Sequence, residues 1–251
     1  MKYLMCLRYV GTDFCGSQIQ PSVRTVQGVL NDAFEALFGV RCMVTSCSRT
    51  DSGVHANGAT LTVALPDGTL PIPPERLPIA VMPHLPPDVG VYGATAVPDS
   101  FHVRHDAQGK EYVYLLYNSP VRNPFYENRA WFYPRPIDGE GLERMKEAAG
   151  HFLGTHDFAA LMAQGSPVAT TVRTLQGLRV LREGELIRFE VEADGFLYNM
   201  VRIIVGTLVE VAAGRISPEE IPDILASCDR TRAGMTAPPE GLYLNRVFYT
   251  K

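Results

Sequence analysis

The densest run of reactive side chains in the sequence is Ser48-Arg49-Thr50-Asp51-Ser52-Gly53-Val54-His55-Ala56-Asn57-Gly58. Seven of these eleven side chains can hydrogen-bond, and the two glycines allow a sharp reversal of the backbone. A carboxylate beside Arg49 stays ionised at neutral pH, because a neighbouring cation favours its charged form. An ionised carboxylate held in place can serve as a nucleophile that forms and then releases a covalent intermediate. The same residues also suit a plain connection between strands, with Asp51 capping a turn and Arg49 pairing with it at the surface. Residue types alone leave both readings open.

Other reactive side chains are scattered. Tyr112 and Tyr114 share one face of an extended run, which serves a core as readily as a binding surface. Arg202 stands near the start of an apolar helical run, where a cation opposes the helix dipole. That mild cost favours a specific partner. His55 has the chemistry to polarise a carbonyl, although a histidine satisfied inside a tight loop is the commoner role. His102 and His105 lack a third ligand for zinc. Residues 11–18 have the spacing G-x-x-x-x-G-S-Q but not the lysine of a phosphate loop. The five cysteines are too few and too dispersed for a disulfide scaffold or a four-ligand metal site. They read as reduced thiols in a cytosolic protein, and no metal or cofactor is expected.

These side chains need a scaffold. Extended patterns cover residues 2–10, 41–46, 59–65, 91–97, 111–117 and 242–249, and a hairpin joins 175–181 to 187–193 about Glu183-Gly184-Glu185. Residues 11–21 and 47–58 read as loops. Val26, Val29, Leu30, Ala33, Phe34 and Leu37 recur at helical spacing, with Gly39 as the stop. A second helix carries Leu142, Met145, Ala149, Phe152 and Leu153. A third carries Leu197, Val201, Ile204, Val205, Leu208 and Val209, ending at Gly214. Ser217-Pro218-Glu219-Glu220 has the form of a capping box opening a fourth. Eight prolines within residues 66–87 forbid regular structure throughout that stretch. Strands and helices without strict alternation predict an α+β protein of largely antiparallel sheet. Its halves are expected at residues 1–106 and 107–251.

Composition sets the outer bounds. With 251 residues, 46% hydrophobic and 20% charged, the chain is an ordinary globular one. Lys2 and Arg8 interrupt the first apolar stretch, so a secretory signal is not expected. Gly206 and Glu210 break the apolar run at residues 203–213, which argues against a membrane span. A formal net charge of −4 speaks against an extended basic surface for nucleic acid, yet leaves room for a local groove of arginines.

Ser48 to Ala56 resembles the G-R-T-D-x-G-V-H-A segment of the TruA family of tRNA pseudouridine synthases. Further matches follow in the family's order: Phe101-His102-Val103-Arg104, Lys110-Glu111-Tyr112-Val113-Tyr114, Gly154-Thr155-His156-Asp157-Phe158, Gly195 to Arg202, and Ala237 to Leu244. Six ordered matches along the whole chain are far more specific than any one. Two positions depart. Ser48 replaces a usual glycine, with little expected consequence. Ser17 stands where the family commonly has a large aromatic, a change expected to alter local packing or RNA contact rather than activity.

The resemblance implies a pseudouridine synthase fold, two α+β halves with a central active-site cleft. It implies isomerisation of uridines 38, 39 and 40 in the tRNA anticodon stem-loop, without cofactor, by a cytoplasmic homodimer. Asp51 is then the nucleophile and Arg202 its ordering partner. Tyr112 packs on the target base and aids loss of the C5 proton. Arg49 grips the flipped nucleotide or fills its vacancy, and His55 is a further substrate-side residue. The alternatives are a non-catalytic RNA-binding module on the same scaffold, which would not need Asp51, Tyr112 and Arg202 together, and a carboxylate glycosidase. The latter needs a second acid, and Asp51 has none close to it in sequence.

Overall fold

The computed structural model describes residues 2–66, 68, 71–165 and 168–249. The chain divides into two units, Met1–Gln108 with Tyr243–Lys251, and Gly109–Leu242.

In the first unit, β1 (Lys2–Tyr9) buries every second residue, placing Tyr3, Met5, Leu7 and Tyr9 in the core. Helix α1 (Val26–Phe38) begins at Thr25, whose Oγ1 accepts from Gly28 N at 3.2 Å, and stops at Gly39 in a left-handed conformation, φ 71°. It buries Val26, Leu30, Ala33 and Phe34. Strand β2 (Met43–Ser46) pairs antiparallel with β3 (His55–Ala64), and β3 pairs antiparallel with β1. In the proline-rich stretch, residues 67, 69 and 70 lie outside the described residues. The remainder forms 3-10 turns at Pro74–Arg76 and Met82–His84 around the short helix α2 (Leu77–Val81). Pro74, Pro78 and Pro83 occupy first-turn positions, where no amide hydrogen is needed. Strand β4 (Val89–Val97) then adds to the other side of β1.

The second unit is built on the antiparallel order β5 (Ala107–Asn118), β9 (Leu186–Ala193), β8 (Val172–Glu183) and β7 (Gly154–Asp157). The short β6 (Trp131–Tyr133) runs parallel to β5. Helix α3 (Gly139–Gly150) packs on α4 (Met200–Ala212), and α5 (Ile221–Ser227) follows. Eleven of the thirteen residues of α4 are buried, all but Arg202 and Glu210, so it is a core helix. Glu220 completes the box expected before α5, its Oε1 accepting from Ser217 N at 2.9 Å. Strands β6 and β7, at three and four residues, are too short to give a periodic signal in the sequence.

The closing strand β10 (Leu242–Tyr249) pairs parallel with β3, Tyr243 opposite His55. This pairing explains why β3 starts at His55, four residues before the expected start at 59. Gly58 permits it, because a Cβ there would lie 2.4 Å from Asn245 O. Among the described residues, no helix is long and apolar enough to cross a membrane.

Candidate active site

The turn-rich segment before β3 is laced to the loop that follows β1. Gly11 N donates to His55 Nδ1 at 2.9 Å. Phe14 O accepts from Ser52 Oγ at 3.2 Å and from Gly53 N at 3.4 Å. Ser17 N donates to Thr50 O at 3.0 Å, and Thr50 N donates to Ser17 Oγ at 2.8 Å. The Tyr9 hydroxyl pairs with Thr50 Oγ1 at 2.7 Å. The loops approach to backbone contact: a Cβ on Gly11 would lie 2.0 Å from Val54 O. Gly16, at φ +84°, turns the chain back against Thr50 in the left-handed region that glycine adopts without strain.

This lacing sorts the loop by burial. Thr50, Val54 and His55 are buried, Asp51 is half-buried and Arg49 is exposed. Burial raises the Tyr9 hydroxyl far above the ordinary phenol range, an effect only partly offset by its bond to Thr50. Tyr9 is therefore a neutral partner at any working pH. Behind it, Phe14 meets Tyr9 edge-on, with ring centroids 6.4 Å apart. The Arg24 guanidinium covers Phe14 at 4.0 Å and makes a two-pronged pair with Asp88, at 2.7 and 2.9 Å.

His55 is 1% exposed and stacks on Tyr243 with ring centroids 4.7 Å apart. Its Nδ1 accepts from Gly11, so in the neutral ring the proton sits on Nε2. His102 similarly serves its own turn, its Nδ1 accepting from the Arg104 and His105 amides at 3.3 and 3.2 Å. Arg104 reaches Cys47 O at 3.3 Å, and Val103 O receives the Tyr249 hydroxyl at 2.8 Å. Ser48 Oγ is buried and has no hydrogen-bond partner among the described residues.

In the second unit, Tyr112 on β5 is 8% exposed and meets Phe196 edge-on at 5.0 Å. Two residues along, the Tyr114 hydroxyl donates to Pro238 O at 2.8 Å. Arg202, in the first turn of α4, donates from Nε to Ala237 O at 2.6 Å and from Nη1 to Asn199 Oδ1 at 2.7 Å. Residues 234–238 form a strap along the helix. Gly234 N donates to Thr207 Oγ1 at 3.0 Å, and Ala237 N to Arg202 O at 3.1 Å. Arg230 holds the strap's other side, at Gly234 O and Thr236 Oγ1, 2.9 and 3.1 Å.

Arg49, Asp51 and His55 thus belong to the first unit, Tyr112 and Arg202 to the second. Sequence reasoning did not find Tyr9, Asn199 or the strap. Tyr9 acts through a bond to a residue 41 positions away, Asn199 through one local bond and the strap largely through backbone, and none of these leaves a periodic signal. Ser17 stood out only as a departure from the resemblance. Its side chain is 6% exposed and is spent on Thr50.

The sequence model described as tRNA pseudouridine synthase matches residues 5–106 and 148–250. A tRNA pseudouridine synthase A from Thermoanaerobacter sp. (strain X514) is 44% identical over 246 residues, covering 98% of each chain. That of Ruminiclostridium cellulolyticum is 43% identical, covering 99% of each. A solved Cbf5-Nop10-Gar1 complex gives a TM-score of 0.38 at 14% identity, covering 98% of this chain and 59% of that one, too distant to bear on the assignment. On the match to the sequence model and these near full-length identities, the chain belongs to the tRNA pseudouridine synthase family.

Proposed function

We propose that this protein isomerises uridines 38, 39 and 40 of the tRNA anticodon stem-loop to pseudouridine, with Asp51 as nucleophile. The observation that carries the reading is the family match through residues 5–106 and 148–250, which includes the Asp51 loop and Arg202. The geometry supports it: a half-buried carboxylate follows directly on a buried, fully bonded Thr50. The anticodon target, a homodimer and a cytoplasmic location rest on the sequence resemblance.

The reaction breaks the C1′–N1 bond, rotates the uracil and joins C5 to C1′. A proton leaves C5 and one is gained at N1, so atoms and electrons balance within one nucleotide and no carrier is consumed. Asp51 supplies the covalent hold, by attack at C1′ or at C6. Arg202 is assigned to order its carboxylate, and Tyr112 to lie on the base and assist loss of the C5 proton. A uridine in a stem must leave the stack to react, at about a few kcal/mol. Arg49, exposed beside Asp51, is assigned to grip the displaced nucleotide. His55 acts from behind by tying the loop to Gly11.

The test is to incubate the purified protein with unmodified tRNA, folded in monovalent salt with excess EDTA, and map pseudouridines at nucleotide resolution. Product at 38, 39 and 40 is expected, and Asp51→Asn should leave below roughly one per cent of the activity while keeping tRNA affinity within about tenfold. Substantial turnover by the asparagine variant would remove Asp51 from the mechanism. Tight tRNA binding without any product would favour the binding-module alternative.

A further inference from the structure

We propose that Ser17 is a positioning residue for the reaction at Asp51, acting through Thr50; the inference rests on the nucleophile reading above. Thr50 N belongs to the peptide plane before Thr50, and Thr50 O to the plane that ends at the Asp51 Cα. Ser17 holds both, the first through its hydroxyl at 2.8 Å and the second through its amide at 3.0 Å. Tyr9 fixes the Thr50 side chain at 2.7 Å. With both flanking planes and the side chain fixed, the Thr50 dihedrals have no freedom left, and the Asp51 Cα is placed by bonded geometry. The next plane is held as well, by Val54 N on Asp51 O at 3.2 Å.

All three members of this clamp are nearly sealed from water, at 6% exposure for Ser17, 7% for Thr50 and 5% for Tyr9. Solvent therefore cannot replace a lost bond, and a buried amide without an acceptor relieves itself by moving. Any such movement is delivered directly to Asp51. A nucleophile depends steeply on its placement, so the cost falls on the chemical step rather than on RNA binding. Ser17 itself, buried beneath the loop, has no surface to offer a substrate.

The test measures three quantities on full-length protein with unmodified tRNA: single-turnover rate at saturating enzyme, tRNA Kd, and Tm. Ser17→Ala is expected to slow the bound-state rate roughly ten- to hundredfold while leaving Kd within about threefold. Tyr9→Phe, which frees the Thr50 hydroxyl, should slow the same step by a smaller factor. Asp138→Ala, which removes the cap that accepts from Gly141 N in the second unit, should lower Tm and leave the rate unchanged. A wild-type rate in folded Ser17→Ala, with Asp51→Asn inactive, overturns the positioning role and keeps the nucleophile. Loss of affinity alone also overturns it. Should Ser17→Ala fail to fold, Tyr9→Phe decides: a slowed rate supports the clamp and a wild-type rate ends it. Activity in Asp51→Asn would instead remove the reading on which the clamp depends.

Discussion

Arg202 and Ala237 are bonded in both directions, the guanidinium Nε donating to Ala237 O at 2.6 Å and Ala237 N donating to Arg202 O at 3.1 Å. A side chain that would oppose the helix dipole at the head of α4 is thereby fixed by the strap at residues 234–238. Its Nη1 is further directed by Asn199, which sits in the left-handed region at φ 60°.

Arg202→Lys cannot reproduce this fork, because an ammonium is a single point of charge on a flexible stem. We expect its bound-state rate to fall roughly a hundredfold with tRNA affinity within about tenfold. Asn199→Gly keeps the backbone conformation but removes the carboxamide, and its loss should be smaller. Single-turnover rates and binding curves separate the two effects. If either variant loses affinity only, Arg202 is a backbone grip and not part of the chemistry.

Gly206→Ala tests the strap from the other side. A Cβ at Gly206 would lie 1.8 Å from Met235 O, so α4 and the strap must separate. The expected result is a Tm lower by about 5 °C, accompanied by a rate loss like that of Arg202→Lys. A stable variant with full activity would show that the strap can move without disturbing Arg202.

Arg49→Ala should lower the rate of the bound complex, because Arg49 is assigned to the displaced nucleotide next to Asp51. Arg173 of the second unit, whose Nη1 donates to Thr170 O and Val172 O, provides a comparison. If Arg173 touches phosphate, Arg173→Ala should weaken binding and flatten the salt dependence of Kd by about one unit, with the bound-state rate intact. Titrations at several salt concentrations give both slopes. An affinity defect alone for Arg49→Ala would return it to the backbone.

The Arg24 side chain holds the Asp88 carboxyl below its ordinary value of 3.8, against a smaller opposing effect of burial. Because the folded-state value is depressed, the pair stabilises the protein above about pH 4, and this stability is lost as the pH falls through the depressed value. Asp88→Asn should therefore lower Tm by about 1–3 °C at neutral pH and make its fall on acidification shallower. Thermal melts from pH 7 down to about pH 2 give the comparison. Parallel curves for the two proteins would show that the pair does not contribute.

Local signals in the sequence determined the elements whose periods are long enough to read. The alternation in β1, the stripe and glycine stop of α1, the apolar run of α4 and the box before α5 are each one element's own chemistry. The reactive loop was legible too, since clustered polar residues with two glycines declare a turn. What the sequence could not show is anything made by two distant segments. β10 lies beside β3, almost 190 residues earlier, because Gly58 lets two backbones meet. Thr50 is held because Ser17 and Tyr9, from another loop and another strand, take all its polar atoms. Arg202 is oriented because a strap more than thirty residues later presents one carbonyl and one amide. Hydrogen bonds of this kind carry no periodicity and no composition. They exist only once the chain has folded back on itself, which is why the tertiary structure alone decided how the reactive residues are held.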